Sequence, residues 1–324
     1  MQHDFSGVAS GSRDGADATA AMYAAARLYY DENLTQQEVA ERLHVSRSTV
    51  SRLLADAREN DIVHIEVRPP SPATELSVEL AAALGLRHAT VVPAPAPGAG
   101  MQALVAPALG ELERSGLRSG DVLALSWGNT IWELAQAQRF PALRGVQIVP
   151  AIGGLDEVDV RFQPNEIARR VGAASGATVR FLHAPAMPSA RLRRSLLADP
   201  EIASRLALWD EIHTAVVGIG LPPGVLELAP SHIESQRDAL SGAVGDVASR
   251  HFDLDGNPVE MRREDRLLAV SWEQLRATPS VVAVAAGPGK GQSLVGAARA
   301  RLIDVLVTDA PTAVAALEIV RATP

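Results

Sequence analysis

Cysteine is absent from all 324 positions, which removes disulfides, thiolate metal sites and cysteine nucleophiles together. A reducing compartment, the cytoplasm, is the natural expectation. Lysine is nearly as scarce: of 30 basic residues only Lys290 is lysine, against a background of arginine that a GC-rich genome would produce. No apolar stretch approaches the roughly 18 to 20 residues a membrane-spanning helix needs, so no membrane partner is expected. The eight histidines are scattered without ligand spacing, and neither a metal nor any other cofactor is expected. A net charge of −8 argues at first against nucleic acid, whose affinity comes from cations neutralising phosphates.

Distribution overrides that total. Between Arg42 and Arg58 there are four arginines (Arg42, Arg47, Arg52, Arg58) and one acid, Asp56, so a basic island sits in an acidic chain. An acidic body would repel DNA from every surface but that one. Length favours two domains. Residues 1–19, rich in Gly, Ser, Ala and Asp, read as a disordered tail; residues 20–68 read as a small helical head. Pro69-Pro70-Ser71-Pro72 reads as a stiff linker and residues 73–324 as the body.

In the head, Met22, Ala25, Ala26, Leu28 and Tyr29 have helical spacing up to Asp31-Glu32-Asn33. Thr35 and Glu38 have the spacing of a capping box for a helix that buries Val39, Ala40 and Leu43. His44-Val45 makes a turn, and Ser46 can cap a second helix with Val50, Leu53, Leu54 and Ala57 on one face. The opposite face carries Arg47, Ser48, Thr49, Ser51 and Arg52. Short hydroxyls permit close approach to a major groove, and arginine can bind guanine or phosphate with two hydrogen bonds. Together with Thr35 and Gln36 at the start of the preceding helix, these are the candidate DNA contacts of a helix-turn-helix. An ordinary helix pair with a solvated polar face is the alternative. Alternation over 62–67 reads as a strand, giving a winged arrangement.

The body alternates strand-like segments at 89–92, 122–125, 146–152, 178–182, 215–219, 281–286 and 305–308 with helical patterns such as 75–84, 102–114, 165–174 and 293–302. That pattern predicts an α/β domain with a mainly parallel sheet covered on both faces, and ligands then bind beyond the carboxyl ends of the strands. Ser126-Trp127-Gly128-Asn129-Thr130 and Gly287-Pro288-Gly289-Lys290 both lie between a strand and a helix, where backbone N–H groups and an ammonium can meet an anion. Ordinary turns and a solvated surface lysine are the plain alternatives. Gly153-Gly154 and Gln163-Pro164-Asn165 follow another strand; Asn165 is as well suited to helix capping as to a sugar hydroxyl.

The run from Leu34 to Val67, with Leu-Thr-Gln-Gln-Glu-Val-Ala, Val-Ser-Arg-Ser-Thr-Val-Ser-Arg-Leu-Leu and Asn-Asp-Ile-Val-His-Ile, resembles the head of SorC/DeoR-type sugar-responsive regulators. The resemblance continues through the body, over about nine-tenths of the chain. It implies a body with the fold of phosphosugar isomerases and deaminases acting as an effector-binding domain. It also implies that Ser126, Gly128, Asn129, Thr130 and Lys290 hold a phosphate, while Gly153, Gly154, Gln163, Asn165 and Asp309 face a sugar. The expected partners are operator DNA, a small sugar phosphate or polyol, and further copies of the chain as a dimer or tetramer. An enzyme of the isomerase or deaminase fold is the rival reading, with Asp156, Glu157, Asp159 and His183 available as acids and bases but no compact pair among them. A kinase or dehydrogenase is a further rival, but the sequence has neither a Gly-x-x-x-x-Gly-Lys-Ser/Thr loop nor a Gly-x-Gly-x-x-Gly after a strand, and Gly218-Ile219-Gly220 runs into Leu221-Pro222-Pro223, which cannot continue as a helix.

Overall fold

In a computed structural model, which describes residues 14–63, 72–95, 100–157, 159–221, 237–287 and 289–323, the head is built from three helices. They are α1 (Asp14–Ala26), continued by a wider π-type turn over Arg27–Asp31, α2 (Gln36–Leu43) and α3 (Arg47–Glu59). Part of the expected tail is therefore helical: α1 starts at Asp14, where alternating alanines supply helix propensity that their low complexity disguises. Residues 1–13 lie outside the described residues. Thr35 closes both halves of the capping box with Glu38, and Ser46 accepts from the Thr49 N–H at 3.1 Å. Between them His44 adopts the left-handed conformation, φ 54°, that ends α2 without a glycine. Met22, Leu28, Val39, Ala40, Val50, Leu54 and Ala57 form the head's own core. Of the strand expected over 62–67, Ile62 and Val63 lie in a turn, both N–H groups bonding to the Ala57 carbonyl. The remainder, with most of the expected linker, lies outside the described residues.

The chain divides at residues 69/70 into two units, close to the expected boundary, and a helix spans Pro72–Leu84. All seven strands expected in the body form one parallel sheet: β1 (His88–Val92), β2 (Val122–Leu125), β3 (Gln147–Pro150), β4 (Thr178–Val179), β5 (Ile212–Gly218), β8 (Ser280–Val284) and β9 (Val305–Asp309). A two-stranded antiparallel hairpin, β6 (Gly245–Val247) and β7 (Arg250–Phe252), was not foreseen. Strand order is β1-β9-β8-β5-β2-β3-β4.

Alternate residues of each central strand feed two cores. Val122 and Ala124 join the helices Lys290–Arg299 and Ala310–Ala322 on one face, whereas Leu123 and Leu125 join Gln102–Arg114, Asn129–Ala135 and Pro164–Ser175 on the other. Burial on both faces explains why these strands read as continuous apolar runs. A smaller cluster around Ile152, Phe162, Leu240, Met261 and Leu267 lies beyond the end of β3. Among the described residues, no helix is long and apolar enough to cross a membrane.

Candidate functional site

The head presents a polar helix face whose arginines are uncommitted among the described residues. Arg47, Ser48, Ser51 and Arg52 are exposed, and among the described residues Arg47 and Arg52 make no hydrogen bond or ion pair. Ser46, Ser48 and Thr49 share hydroxyl contacts of 2.7 and 2.8 Å at the start of α3. A hollow of about 470 Å³ is lined by Tyr29, Thr35, Gln36, Gln37 and Arg47, so the N-termini of α2 and α3 open on the same side. Helix N-termini and an uncommitted guanidinium together suit a phosphate. The structure thus brings Thr35, Gln36 and Arg47 into one cluster, with Ser48, Thr49, Ser51 and Arg52 along the adjoining helix.

In the body, the chain runs from β2 outward to β3 and β4, then returns to the other side of β2 for β5, β8 and β9. Strand order therefore reverses between β2 and β5, and it is beyond the carboxyl ends at such a reversal that the crevice of an open α/β sheet takes its ligand. The Ser126 N–H donates to the Val216 carbonyl at 3.0 Å. A Cβ on Gly218 would lie 3.9 Å from the Trp127 carbonyl oxygen and 4.0 Å from the Thr130 Cβ, so the β2 loop touches the end of β5. From the other flank, Lys290 Nζ donates to the Ile219 carbonyl. The Ser126 to Thr130 loop and Lys290 therefore meet on either side of one strand end. Gly128, at φ 102°, precedes the helix Asn129–Ala135, a backbone that other residues rarely adopt.

Asp246, on the unforeseen hairpin, faces this place. The Gly220 N–H donates to its carbonyl at 2.8 Å, and its carboxylate accepts from the Ser249 N–H at 2.9 Å. A side chain at Gly220 would overlap that carboxylate, which fixes the residue as glycine. Burial pushes the Lys290 ammonium down to about 8, against the pull of Asp246. Asp246 was not singled out from the sequence, because a three-residue strand carries no periodic signal.

The other expected sugar-facing groups are committed elsewhere. The Gly153 N–H bonds to the Leu268 carbonyl at 2.9 Å and the Gly154 N–H to the Ala184 carbonyl at 2.7 Å. Asn165 clips Leu182 in both directions, its amide donating to the carbonyl at 3.0 Å and its oxygen accepting from the N–H at 3.1 Å. Gln163 donates to the carbonyls of Glu157 and Leu155. Asp309 accepts from the Thr312 N–H at 2.9 Å and caps its helix, beside a separate hollow of about 560 Å³ that also touches Gly287 and Gly289. Of the candidate acids, Asp159 is paired with Arg161, whose hydrogen bonds hold its carboxyl below the usual range.

Comparison with known proteins places both units. The family model described as "Putative sugar-binding domain" matches residues 68–318, and the model of sigma-70 region 4 matches residues 27–60. The deoxyribonucleoside regulator of Bacillus subtilis is 31% identical over 295 residues, covering 89% of this chain and 94% of that one. The sorbitol operon regulator of Klebsiella pneumoniae is 28% identical over 305 residues, with the same coverage. The crystal structure of full-length SorC from K. pneumoniae superposes with a TM-score of 0.70, covering 93% of this chain and 99% of SorC at 28% identity. With a helix-turn-helix head, a seven-stranded α/β body and relatives matched over nearly their whole length, the chain belongs to the SorC/DeoR-type family of transcriptional regulators.

Proposed function

We propose that this protein regulates carbohydrate-catabolism genes from the cytoplasm, as a DNA-binding regulator whose operator affinity is set by a small phosphorylated sugar or polyol that the body binds without turning over. The observation that carries the effector half is the placement of the sole lysine: Lys290 stands at the strand-order reversal, across the end of β5 from the Ser126 to Thr130 loop. An ammonium, a glycine-opened backbone and a helix start there suit a phosphate, and Asp246 suits the hydroxyls beside it. The relatives named for deoxyribonucleosides and sorbitol support a carbohydrate ligand. Arg47, Ser48, Thr49, Ser51 and Arg52 would enter the major groove while Thr35 and Gln36 meet the backbone. One such helix reads too few bases for useful specificity, so the working form would be a dimer or tetramer on a near-palindromic site.

Calorimetry of the wild type and Lys290→Ala against sugar phosphates and their unphosphorylated parents tests this reading. Phosphates should bind, their parents should bind far more weakly, and Lys290→Ala should lose the response of DNA binding to the ligand while keeping ligand-free operator affinity. Equal binding of the parents would make the effector a neutral sugar or polyol. A second reading, an isomerase- or deaminase-like enzyme, is favoured by the lowered Lys290 ammonium beside Asp246. Product formation in the same samples, followed by NMR, would replace regulation with catalysis for the body.

A further inference from the structure

At the opposite end of the sheet, where the strands begin, lies a cavity of about 700 Å³ lined by Arg87, His88, Glu111, Arg114, His213 and Ser280. That volume is in the range of sites for small metabolites. His88 opens β1, His213 lies at the start of β5 and Ser280 opens β8, while Glu111 and Arg114 come from the last turn of the helix Gln102–Arg114. Three strand starts and one helix end thus converge on a place that the effector crevice does not use.

A buried carboxylate organises it. Glu111 is 4% exposed, accepts from Thr90 Oγ1 at 2.6 Å and from Arg114 at 2.6 and 3.1 Å, and lies 3.2 Å from His88 Nε2. Burial alone would raise its pKa, but those bonds and charges outweigh burial and hold the carboxyl below the usual range. Glu111 is therefore an anion that fixes Arg114 and His88 in place. Arg87 is held separately, donating to the Pro279 carbonyl at 2.9 Å and to Ser280 Oγ at 2.7 Å. His213 Nδ1 accepts from the Val122 N–H at 3.2 Å, so its proton sits on Nε2, 3.3 Å from Asp121.

Neither guanidinium is spent by its anchor. Arg114 uses Nε and Nη2 and retains Nη1, and Arg87 retains Nε. The side chains of Arg114, His88 and His213 remain 60%, 52% and 48% exposed. Anchored guanidiniums with spare donors lose little freedom when they close on an anion, which is the condition for strong, geometrically selective recognition.

We propose that this cavity is a second ligand site, for a small oxyanion of two or more charges in the class of phosphate esters and polycarboxylates. Arg87, Arg114 and His88 would take the anionic oxygens, with the Ser280 hydroxyl as a neutral donor and His213, held between Val122 and Asp121, as part of the wall. The test uses the full chain, with pyrophosphate and citrate as probes of the two anion sources, titrated by calorimetry. Arg87→Gln/His88→Gln removes two anion contacts and leaves the Arg114 grip on Glu111 intact, while Lys290→Ala disables the crevice. A binding component that survives in Lys290→Ala and weakens at least about tenfold in the double variant is the expected result. Absence of binding at millimolar probe, or binding lost in Lys290→Ala and unchanged in the double variant, would overturn the proposal. Should the double variant fail to fold, the ring signals of His88 and His213 in the wild type decide the matter by NMR. They should move with added probe, and signals that stay still would also overturn it.

Discussion

Lys290 carries its charge where the surroundings disfavour it. Its ordinary value of 10.5 falls to about 8 in the folded chain, so between pH 8 and 10.5 the unfolded state holds a proton that the native state lacks. Stability contributed by this site therefore rises with pH across that window, and the cost of the charge is constant below it. Lys290→Met should stabilise the ligand-free protein at pH 7, by an increment that shrinks above pH 8 and vanishes near 10.5; urea unfolding across that range measures it. An anion on the ammonium would reverse the shift and draw in a proton near pH 8, which calorimetry in buffers of different ionisation enthalpy reads directly. Gly153 tells the opposite story, of a residue needed for packing. A Cβ there would come within 2.6 Å of the Ala184 carbonyl oxygen, whereas at Gly154 the same atom is 3.7 Å away. Gly153→Ala should cost about 1 to 3 kcal/mol in thermal unfolding, and Gly154→Ala far less.

For the recognition helix, contact and fold can be separated. Ser46→Ala removes the cap of α3 and should cost the head about 1 kcal/mol of stability. Among the described residues Arg47 and Arg52 make no hydrogen bond or ion pair, so Arg47→Ala and Arg52→Ala should leave melting unchanged and weaken operator binding by about 1 to 3 kcal/mol each where the contact is bidentate. Melting curves beside gel-shift titrations distinguish the two outcomes. Caps and turns were legible because they depend on residues a few positions apart: Thr35 with Glu38, Ser46 with Thr49, and the seven sheet strands with their runs of Val, Leu, Ile and Ala. The β6–β7 hairpin was not, since Gly-Asp-Val and Arg-His-Phe are too short for alternation to register. Nor did the sequence reveal how Gln163, Asn165 and the Gly153-Gly154 pair spend their hydrogen bonds, because those partners lie 6 to more than 100 residues away. Loop composition showed where polar groups gather but not which were already satisfied.

For the whole molecule, a basic helix set in an acidic chain of net charge −8 makes DNA binding strongly dependent on salt. The logarithm of operator affinity should fall linearly with the logarithm of salt concentration, and an operator cut to one half-site should lose most of the affinity of the complete site. Titrations on both DNAs at several salt concentrations, beside sedimentation of the free protein, measure the slope and the number of heads engaged. A further consequence follows from the reversal of strand order between β2 and β5. The groups that converge there come from the 126–130 loop, Ile219 and Gly220, Asp246 and Lys290, which are scattered over half the chain. A molecule seated among them would act as a clasp, joining segments that backbone connectivity leaves far apart. Its binding would slow amide hydrogen exchange in β2, β5 and β8 together, and a chain truncated before Lys290 would lose the segment that the clasp holds from furthest along the sequence.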